Sequence, residues 1–159
     1  MQAIQLTGPS AASDLKPVTV PTPEPKPGYD LVKVKAFTVS ESEVTSRKGE
    51  SDADFQYPRI LGIEGVGVVA DVAPDSPFKI NQKVAMMMGG LGRSIDGTNA
   101  EYCLIPHTAM VPITTDLDWG IVGALPQMLQ TSYGSLHKGL GTCRRATRCW
   151  CAAALPLLA

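Results

Sequence analysis

The chain has 159 residues, enough for one domain with a hydrophobic core, and its formal net charge is -1 at pH 7. This near-neutral balance gives no reason to expect nucleic acid or an anionic membrane as a partner. Residues 1–7 lack the basic start and long apolar run of a signal peptide or membrane span, so a cytoplasmic protein is expected. Thirteen prolines and fifteen glycines favour a β-rich, turn-rich fold over a helical bundle.

The first forty residues predict short strands joined by proline-rich turns. Residues 1–6 form a strand-like segment, and residues 17–27 carry five prolines that suit an extended strand at a sheet edge. Residues 31–39 alternate, with valine and alanine on one face and lysine on the other. That alternation predicts a half-buried strand.

A short helix is predicted directly after this strand. Ser40 and Glu43 have the spacing of a capping box, in which the serine caps the helix and the glutamate reaches back to it. The helix should continue through Arg47 and end at Gly49, since glycine readily adopts the left-handed conformation that closes helices.

A glycine-rich apolar segment at residues 61–72 predicts a kinked strand. Gly62, Gly65 and Gly67 interrupt it, and such glycines indicate bulges or close approach of another backbone. One carboxylate, Glu64, lies among them and needs a partner or a cleft, because burying a bare charge is costly. A structural hydrogen-bond acceptor and a residue at the rim of a site both fit this pattern.

Further strands follow, and then the character of the chain changes to helical. Short strands separated by turn signals predict a small barrel or sandwich. In the last helix, Leu129, Leu136 and Leu140 should form one apolar stripe. These predicted strands and helices occupy residues 84–88, 100–105, 109–113, 119–125 and 126–140.

Three segments in this order resemble one known family. They are Pro58-Arg-Ile-Leu-Gly-Ile-Glu-Gly-Val-Gly-Val-Val69, Gly97-Thr-Asn-Ala-Glu-Tyr102 and Ala124-Leu-Pro-Gln-Met-Leu-Gln-Thr-Ser-Tyr-Gly-Ser-Leu136. Together they resemble the N-terminal, GroES-like domain of the medium-chain dehydrogenase/reductase superfamily, over residues 1–141. The resemblance implies a mainly β fold with a few helices, built as a partly open β-barrel. It also implies a catalytic domain at residues 1–125 and a helix at 126–141 that leads to a cofactor domain.

The resemblance also bears on metal chemistry. Zinc alcohol dehydrogenases of the superfamily carry a cysteine ligand where this chain has Ser40 and a histidine ligand where it has Ile63. Because a serine hydroxyl is a poor zinc ligand and isoleucine is none, no catalytic zinc is expected. Residues 86–92 replace the cysteine-rich lobe of the structural zinc. The chain thus resembles the zinc-independent, quinone-reductase-like branch, which uses NADPH to reduce quinones, enones or related carbonyl compounds and includes homodimers.

Without a metal, such an enzyme has to position its substrate and donate hydrogen bonds to the developing oxyanion. By resemblance the candidate donors are Ser40, Ser42 and Thr45. Ser42 stands where metal-dependent relatives carry a proton-relay hydroxyl. The alternative for Ser40 and Glu43 is a purely capping role, and both roles can coexist. Glu43 and Glu64 are expected to be structural carboxylates at the cleft.

Two polar residues of the last helix are cofactor candidates. Gln130 and Thr131 resemble the superfamily segment that packs behind the nicotinamide ring. The alternative for Thr131 is a hydrogen bond to its own helix backbone. His107 and His137 have no second ligand at metal spacing, so they are expected to be surface or helix residues.

Two departures from the superfamily pattern stand out. Asn81 replaces a glycine in the turn before a strand, and asparagine is the best substitute for glycine at positive φ. Asn99 replaces a residue that is commonly aromatic, which leaves its contribution to substrate contacts open.

The composition changes after residue 142. Cys143, Cys149 and Cys151 lie in the last seventeen residues, whereas Cys103 is the one cysteine before them. Their spacing is not a common zinc pattern. Relatives continue here into a Rossmann domain, but no G-x-G-x-x-G follows a strand in this chain, so that domain is expected to be absent.

A shifted reading frame explains this tail. If the codons of Cys149-Trp150-Cys151 are read in a frame that starts at the third base of the Cys149 codon, they encode Leu-Val, whichever synonymous codons are used. An apolar pair of this kind is typical of a strand. The hypothesis is therefore that residues 142–159 are a frameshifted tail of a truncated reductase, with little activity alone. The rival interpretation is a stand-alone β-barrel interaction module with a genuine tail and no catalysis.

Overall fold

The computed structural model describes residues 1–139, and this part of the chain is mainly β, as predicted. The strands are β1 (Gln2–Leu6), β2 (Pro17–Thr19), β3 (Tyr29–Ala36), β4 (Arg59–Ile60), β5 (Glu64–Asp71), β6 (Lys83–Met87), β7 (Tyr102–Pro106) and β8 (Met110–Pro112). The α-helices are α1 (Glu41–Lys48), α2 (Trp119–Gly123) and α3 (Pro126–Tyr133). The predicted tail at residues 142–159 and its proposed frameshift lie outside the described residues.

Two antiparallel sheets form the barrel-like body. The larger has the order β7-β3-β5-β6-β8, and the smaller has the order β2-β1-β4. The larger sheet is a curled half-barrel, which confirms the expected GroES-like fold. Its main core is made of side chains from all five of these strands and the adjoining turns, among them Val32, Val69, Val84, Met86 and Ile105. β2 lies at an edge of the smaller sheet, where its proline removes no hydrogen bond that the sheet needs.

The predicted continuous strand at residues 61–72 is wrong at its start. β4 ends at Ile60, and β5 begins only at Glu64. Between them the chain leaves the smaller sheet and enters the larger one, and Gly62 makes the change of direction with φ of 109°. A residue with a side chain rarely adopts that conformation, so the glycine interrupts the strand instead of kinking it.

The segment between β4 and β5 is hydrogen-bonded to a second glycine-containing segment. The backbone N–H groups of Gly97, Thr98 and Asn99 donate to the carbonyl oxygens of Ile60, Gly62 and Leu61, at 2.8, 3.2 and 2.9 Å. A Cβ atom at Gly97 would overlap the carbonyl oxygens of Gly62 and Leu61. Close backbone approach was expected for the glycines of residues 61–72. It is found at Gly62, whose carbonyl group lies against Gly97.

The described residues fall into two compact units, Met1–Pro126 and Gln127 onward. The predicted helix at residues 126–140 is α-helical only as far as Tyr133 and continues as a π-helical segment, Gly134–Gly139. Leu136 therefore does not extend the α-helical stripe begun by Leu129. In the π-helical segment the ring of His137 stacks on that of Tyr133, with centroids 4.1 Å apart. No helix of residues 1–139 is both long and apolar enough to cross a bilayer.

His107, expected to be a surface or helix residue, lies in a short helix and is largely buried. It begins a 3-10 turn, His107–Ala109, and its side chain is only 16% exposed. Its Nε2 lies 3.2 Å from Oδ1 of Asp30, which is fully buried. Asp30 also accepts hydrogen bonds from the Ala73 backbone N–H, at 2.8 Å, and from the Ser76 hydroxyl. The imidazole of His107 thus lies beside a buried carboxylate that joins β3 to two turns.

Candidate functional site

The predicted helix after β3 forms as expected. α1 begins after Ser40 and closes at Gly49, whose φ of 78° is left-handed. The carboxylate of Glu43 accepts a hydrogen bond from the backbone N–H of Ser40 at 2.5 Å, which is the reciprocal half of the capping box. The cap fixes the position of the residues proposed for catalysis, since they lie at this end of the helix.

Two of the three candidate hydroxyls are hydrogen-bonded to each other, and the third is not. Oγ of Ser40 and Oγ of Ser42 are 2.8 Å apart, so one donates to the other. The hydroxyl of Thr45 donates to the carbonyl oxygen of Glu41 at 3.1 Å, one turn back on the same helix. The structure therefore joins Ser40 and Ser42, whereas Thr45 is bonded to its own helix.

Glu43 is buried beneath this pair and is held by Asn99. Its side chain is 3% exposed, and Oε1 accepts a hydrogen bond from Nδ2 of Asn99 at 2.9 Å. Burial raises the pKa of Glu43, while hydrogen bonds from Ser40 and Asn99 act in the opposite direction. The negative charge of Glu64 raises that pKa further.

Glu64 is the second buried carboxylate of the site. It opens β5, is 2% exposed and accepts a hydrogen bond from the Thr38 hydroxyl. Its backbone carbonyl accepts one from the Thr98 hydroxyl. Glu43 and Glu64, expected as structural carboxylates at the cleft, thus lie in one polar cluster with Thr38, Thr98 and Asn99.

Sequence reasoning missed the threonines of this cluster and gave Asn99 no role. Asn99 is 56 residues from Glu43 in the chain, and Thr38 is 26 residues from Glu64. The only signal was the departure at Asn99 from an aromatic residue to a small amide. That change supplies a hydrogen-bond donor for a buried carboxylate.

A cavity of about 330 Å³ lies on the other face of α1. At 100° per residue, Glu43, Val44 and Arg47, which line the cavity, point away from Ser42 and Thr45. Its other walls are mostly apolar and come from the strands and the loop after β1, with Ile4, Ala12, Leu15, Phe37, Val39, Leu61 and Asn99. Ser42 thus lies on the opposite face of the helix from this cavity.

The residues that the resemblance places at two zinc-ligand positions are Ser40 and Ile63. Ile63 is a buried hydrocarbon side chain between β4 and β5 and offers no ligand atom. Within residues 1–139, no cluster of three or more histidine, cysteine, aspartate or glutamate side chains could hold a metal ion. Cys103 is buried in the core, and burial raises the pKa of its thiol.

The two cofactor candidates that the sequence suggests are accessible to solvent. Gln130 and Thr131 lie exposed on α3, in the second compact unit, where a hydroxyl and an amide are available for hydrogen bonds. The Gly65-x-Gly67 sequence lies inside β5 and precedes no helix, so it cannot form a phosphate loop. Nothing in residues 1–139 would hold the pyrophosphate.

Comparison with known families agrees with this fold. The model of the alcohol dehydrogenase GroES-like domain matches residues 26–115, more than half of the chain. The chain therefore belongs to this domain family and, through it, to the medium-chain dehydrogenase/reductase superfamily.

Individual relatives include enzymes with and without zinc in their names. A zinc-type alcohol dehydrogenase-like protein of Schizosaccharomyces pombe is 32% identical over 122 residues, which cover 76% of this chain and 36% of the relative. The structure of an NAD-dependent alcohol dehydrogenase superposes with a TM-score of 0.80 at 26% identity, covering 89% of this chain and 48% of the other. A quinone oxidoreductase of Pseudomonas syringae pv. Tomato DC3000 gives 0.74 at 25% identity, with coverages of 86% and 41%. The chain thus spans less than half the length of these relatives.

Proposed function

We propose that this domain is the substrate-binding half of a zinc-independent, NADPH-dependent oxidoreductase that reduces quinones, enones or similar carbonyl compounds. The observation that carries the proposal is the pair of hydroxyls, Ser40 and Ser42, at the capped end of α1, in a site where Ile63 replaces a metal ligand. Relatives named as quinone oxidoreductases and alcohol dehydrogenases support the reaction class.

Each polar residue has a part in this proposal. A reduced nicotinamide supplies a hydride to the substrate. One hydroxyl of the Ser40–Ser42 pair donates a hydrogen bond to the substrate oxygen that becomes negative, and the other hydroxyl donates to its partner and so strengthens that donor. Thr45 orders the same helix end, and Glu43 and Glu64 hold the cluster in place. Gln130 and Thr131 face the nicotinamide.

The first experiment tests the cofactor and the reading frame together. NADPH and NADH are titrated into the 159-residue chain and into a version whose frame is shifted after Thr142. NADPH binding by the shifted version alone supports the proposal and the division into residues 1–125, 126–141 and 142–159. A soluble monomer that binds neither cofactor in either version, and captures one specific protein partner, supports the interaction module instead.

A second experiment tests the zinc-free assignment. The protein is dialysed against zinc, and bound metal is measured by mass spectrometry beside a Ser40→Cys, Ile63→His double variant. The wild type should retain less than 0.1 equivalent (roughly the level of surface binding), because it lacks ligands. One tightly held zinc per wild-type chain would contradict the proposal, and gain of zinc by the double variant would support the placement of the site. Sedimentation of the shifted version tests the proposed homodimer.

A further inference from the structure

A second cavity, of about 380 Å³, lies against the face of β3 and β7 that is turned away from the main core. Tyr29 on β3 and Tyr102 on β7 line it. These two tyrosines share a face of the sheet, because Tyr102 pairs with Lys33, four residues along β3 from Tyr29. Val32, on the alternate face of β3, belongs to the main core instead. The residues proposed for catalysis and cofactor binding do not line this cavity, so it is a separate place on the domain.

One wall of the cavity is a proline-rich segment that forms no strand. Residues 20–25 lie outside the helices and strands, and Pro21 and Pro23, which line the cavity, have no backbone N–H to donate to a sheet. At the end of this segment the backbones of Lys26 and Tyr29 exchange hydrogen bonds of 2.8 and 3.3 Å. The segment is thus tied to β3 at Lys26 but leaves open space beside the sheet before that point.

The charged side chains that line the cavity leave an excess of one positive charge. Lys26 and Arg59 are cationic, and Asp96 is anionic. The ammonium group of Lys26 lies 4.6 Å from the centre of the Tyr29 ring, and that of Lys33 lies 5.9 Å from the centre of the Tyr102 ring. Each aromatic ring of the cavity therefore has a cation on its face, so this side of the domain attracts anions.

Arg59 has hydrogen-bond donors that the domain does not use. Its side chain is only 15% exposed, and its Nη1 donates to Oδ1 of Asp96 at 3.1 Å. The same oxygen of Asp96 accepts a hydrogen bond from the Ile60 backbone N–H at 3.0 Å. Within residues 1–139, Nη1 is the one guanidinium nitrogen of Arg59 with a hydrogen-bond partner, and Nε is buried without one. Because a guanidinium group carries five donors in a planar fork, Arg59 can bind a second carboxylate beside Asp96.

The uncharged lining and the volume indicate the size of the ligand. Ile60 and Leu104 add aliphatic surface to the two tyrosine rings. Small-molecule sites typically have volumes of roughly 300–1,000 Å³, and a cavity of about 150 Å³ accommodates benzene. A volume of about 380 Å³ therefore has room for two fused rings and one polar group.

We propose that this cavity binds a monoanionic aromatic carboxylate, with the carboxylate on Arg59 and Lys26 and the ring system against Tyr29 and Tyr102. One negative charge balances the excess charge of the lining, and two coplanar oxygens match the guanidinium fork. A cationic ligand would meet two cations and a carboxylate that is already paired. A phosphate dianion would bring more negative charge than the lining balances, next to Asp96. This inference goes beyond the proposed reduction and does not rest on it.

The first test compares ligands of one shape and different charge by isothermal titration calorimetry of the 159-residue chain. The ligands are 2-naphthoate, the uncharged 2-naphthamide and the cationic 2-naphthylmethylamine, with inorganic phosphate as an anion without a ring. The carboxylate should bind at one site per chain and more tightly than the other three. Its Kd should rise about threefold or more between about 0.05 and 0.5 M NaCl, because salt screens the attraction to the two cations.

The second test measures the Kd of 2-naphthoate for charge variants of the lining. Arg59→Gln removes the guanidinium fork and should raise the Kd about tenfold or more. Lys26→Gln removes a more exposed cation and should raise it about threefold, whereas Asp96→Asn frees Arg59 from its ion pair and should lower it about threefold. Lys48→Gln makes the same change of charge on the exposed surface of α1 and should leave the Kd unchanged.

Several results would overturn the proposal. The wild type could fail to bind 2-naphthoate, or bind the amide, the amine or phosphate as tightly as the carboxylate. An effect of Lys48→Gln as large as that of Lys26→Gln would show attraction to the net charge of the chain, without a site. If Arg59→Gln does not fold, Lys26→Gln, Asp96→Asn and the ligand comparison on the wild type still decide. Because these titrations use no cofactor, their failure would leave the proposed reduction untouched.

Discussion

Two buried carboxylates of this domain are stabilised in different ways. Asp30, at the start of β3, is bonded by a backbone N–H and a hydroxyl and lies beside the imidazole of His107. Glu43, on α1, is bonded by a backbone N–H and an amide but also feels the negative charge of Glu64. Burial and the charge of Glu64 raise the pKa of Glu43. The two buried carboxylates thus differ in the groups that surround them: Asp30 joins β3 to two turns, whereas Glu43 joins α1 to Asn99 beside a second carboxylate.

Neutralising Asp30 should have the largest effect. Asp30→Asn keeps the size of the side chain but turns one acceptor into a donor that faces the Ser76 hydroxyl or the Ala73 N–H. Because buried groups then lose their partners, the free energy of unfolding should fall by about 3 kcal/mol in urea denaturation. A loss below about 1 kcal/mol would mean that Asp30 is no more important to folding than Glu43.

Adding a methyl group at Gly97 should have the next largest effect on the free energy of unfolding. This substitution tests the rigidity of the backbone near Glu43. In Gly97→Ala the new Cβ overlaps carbonyl oxygens of the segment between β4 and β5, so the backbone has to move. We expect a loss of about 2 kcal/mol in urea denaturation. Gly8→Ala, where a Cβ meets no atom within 4 Å, is the matched control and should change little.

Neutralising Glu43 should have a smaller effect that depends on pH. The raised pKa means that the folded chain binds this proton more tightly than the unfolded chain. The wild type therefore loses stability relative to Glu43→Gln as pH rises through the pKa of folded Glu43. Thermal unfolding between pH 4 and pH 8 should show the Glu43→Gln variant gaining stability relative to the wild type as pH rises. A wild-type advantage that grows with pH would contradict a raised pKa of Glu43.

The smallest effect is expected for the chemical modification of Cys103, which is buried in the hydrophobic core. Its thiol donates to the carbonyl oxygen of Gly97 at 2.9 Å, and burial raises its pKa. Since the thiolate is the reactive form, iodoacetamide at pH 8 should leave Cys103 unmodified in the folded chain and label it after denaturation. Peptide mass spectrometry separates it from the cysteines after residue 142. Rapid labelling under native conditions would show that this core opens readily.

Features determined by neighbouring residues were predictable from the sequence. The capping box of Ser40 and Glu43 needs only a spacing of three residues, and Gly49 ends the helix as expected. Asn81 adopts the positive φ, 68°, that was predicted for it. The alternation of residues 31–39 likewise placed β3 within a few residues.

Features determined by distant parts of the chain were not predictable. Nothing near Glu64 indicates that the chain changes sheets at Gly62, so the strand was predicted without its break. His107 and Asp30 are 77 positions apart, and their contact depends on the pairing of β3 with β7. The hydroxyl pair was found because resemblance pointed to α1, but its support by Asn99 required the folded chain.

The cavity behind α1 is a place where substitutions could change the position of the helix. The helix is unsupported over part of its rear face, where Leu15 and Val44 border about 330 Å³ of empty space. Larger side chains at these positions would press on the helix from behind and displace its hydroxyls by fractions of an ångström. Directed evolution toward new substrates could therefore act through residues that never contact the substrate.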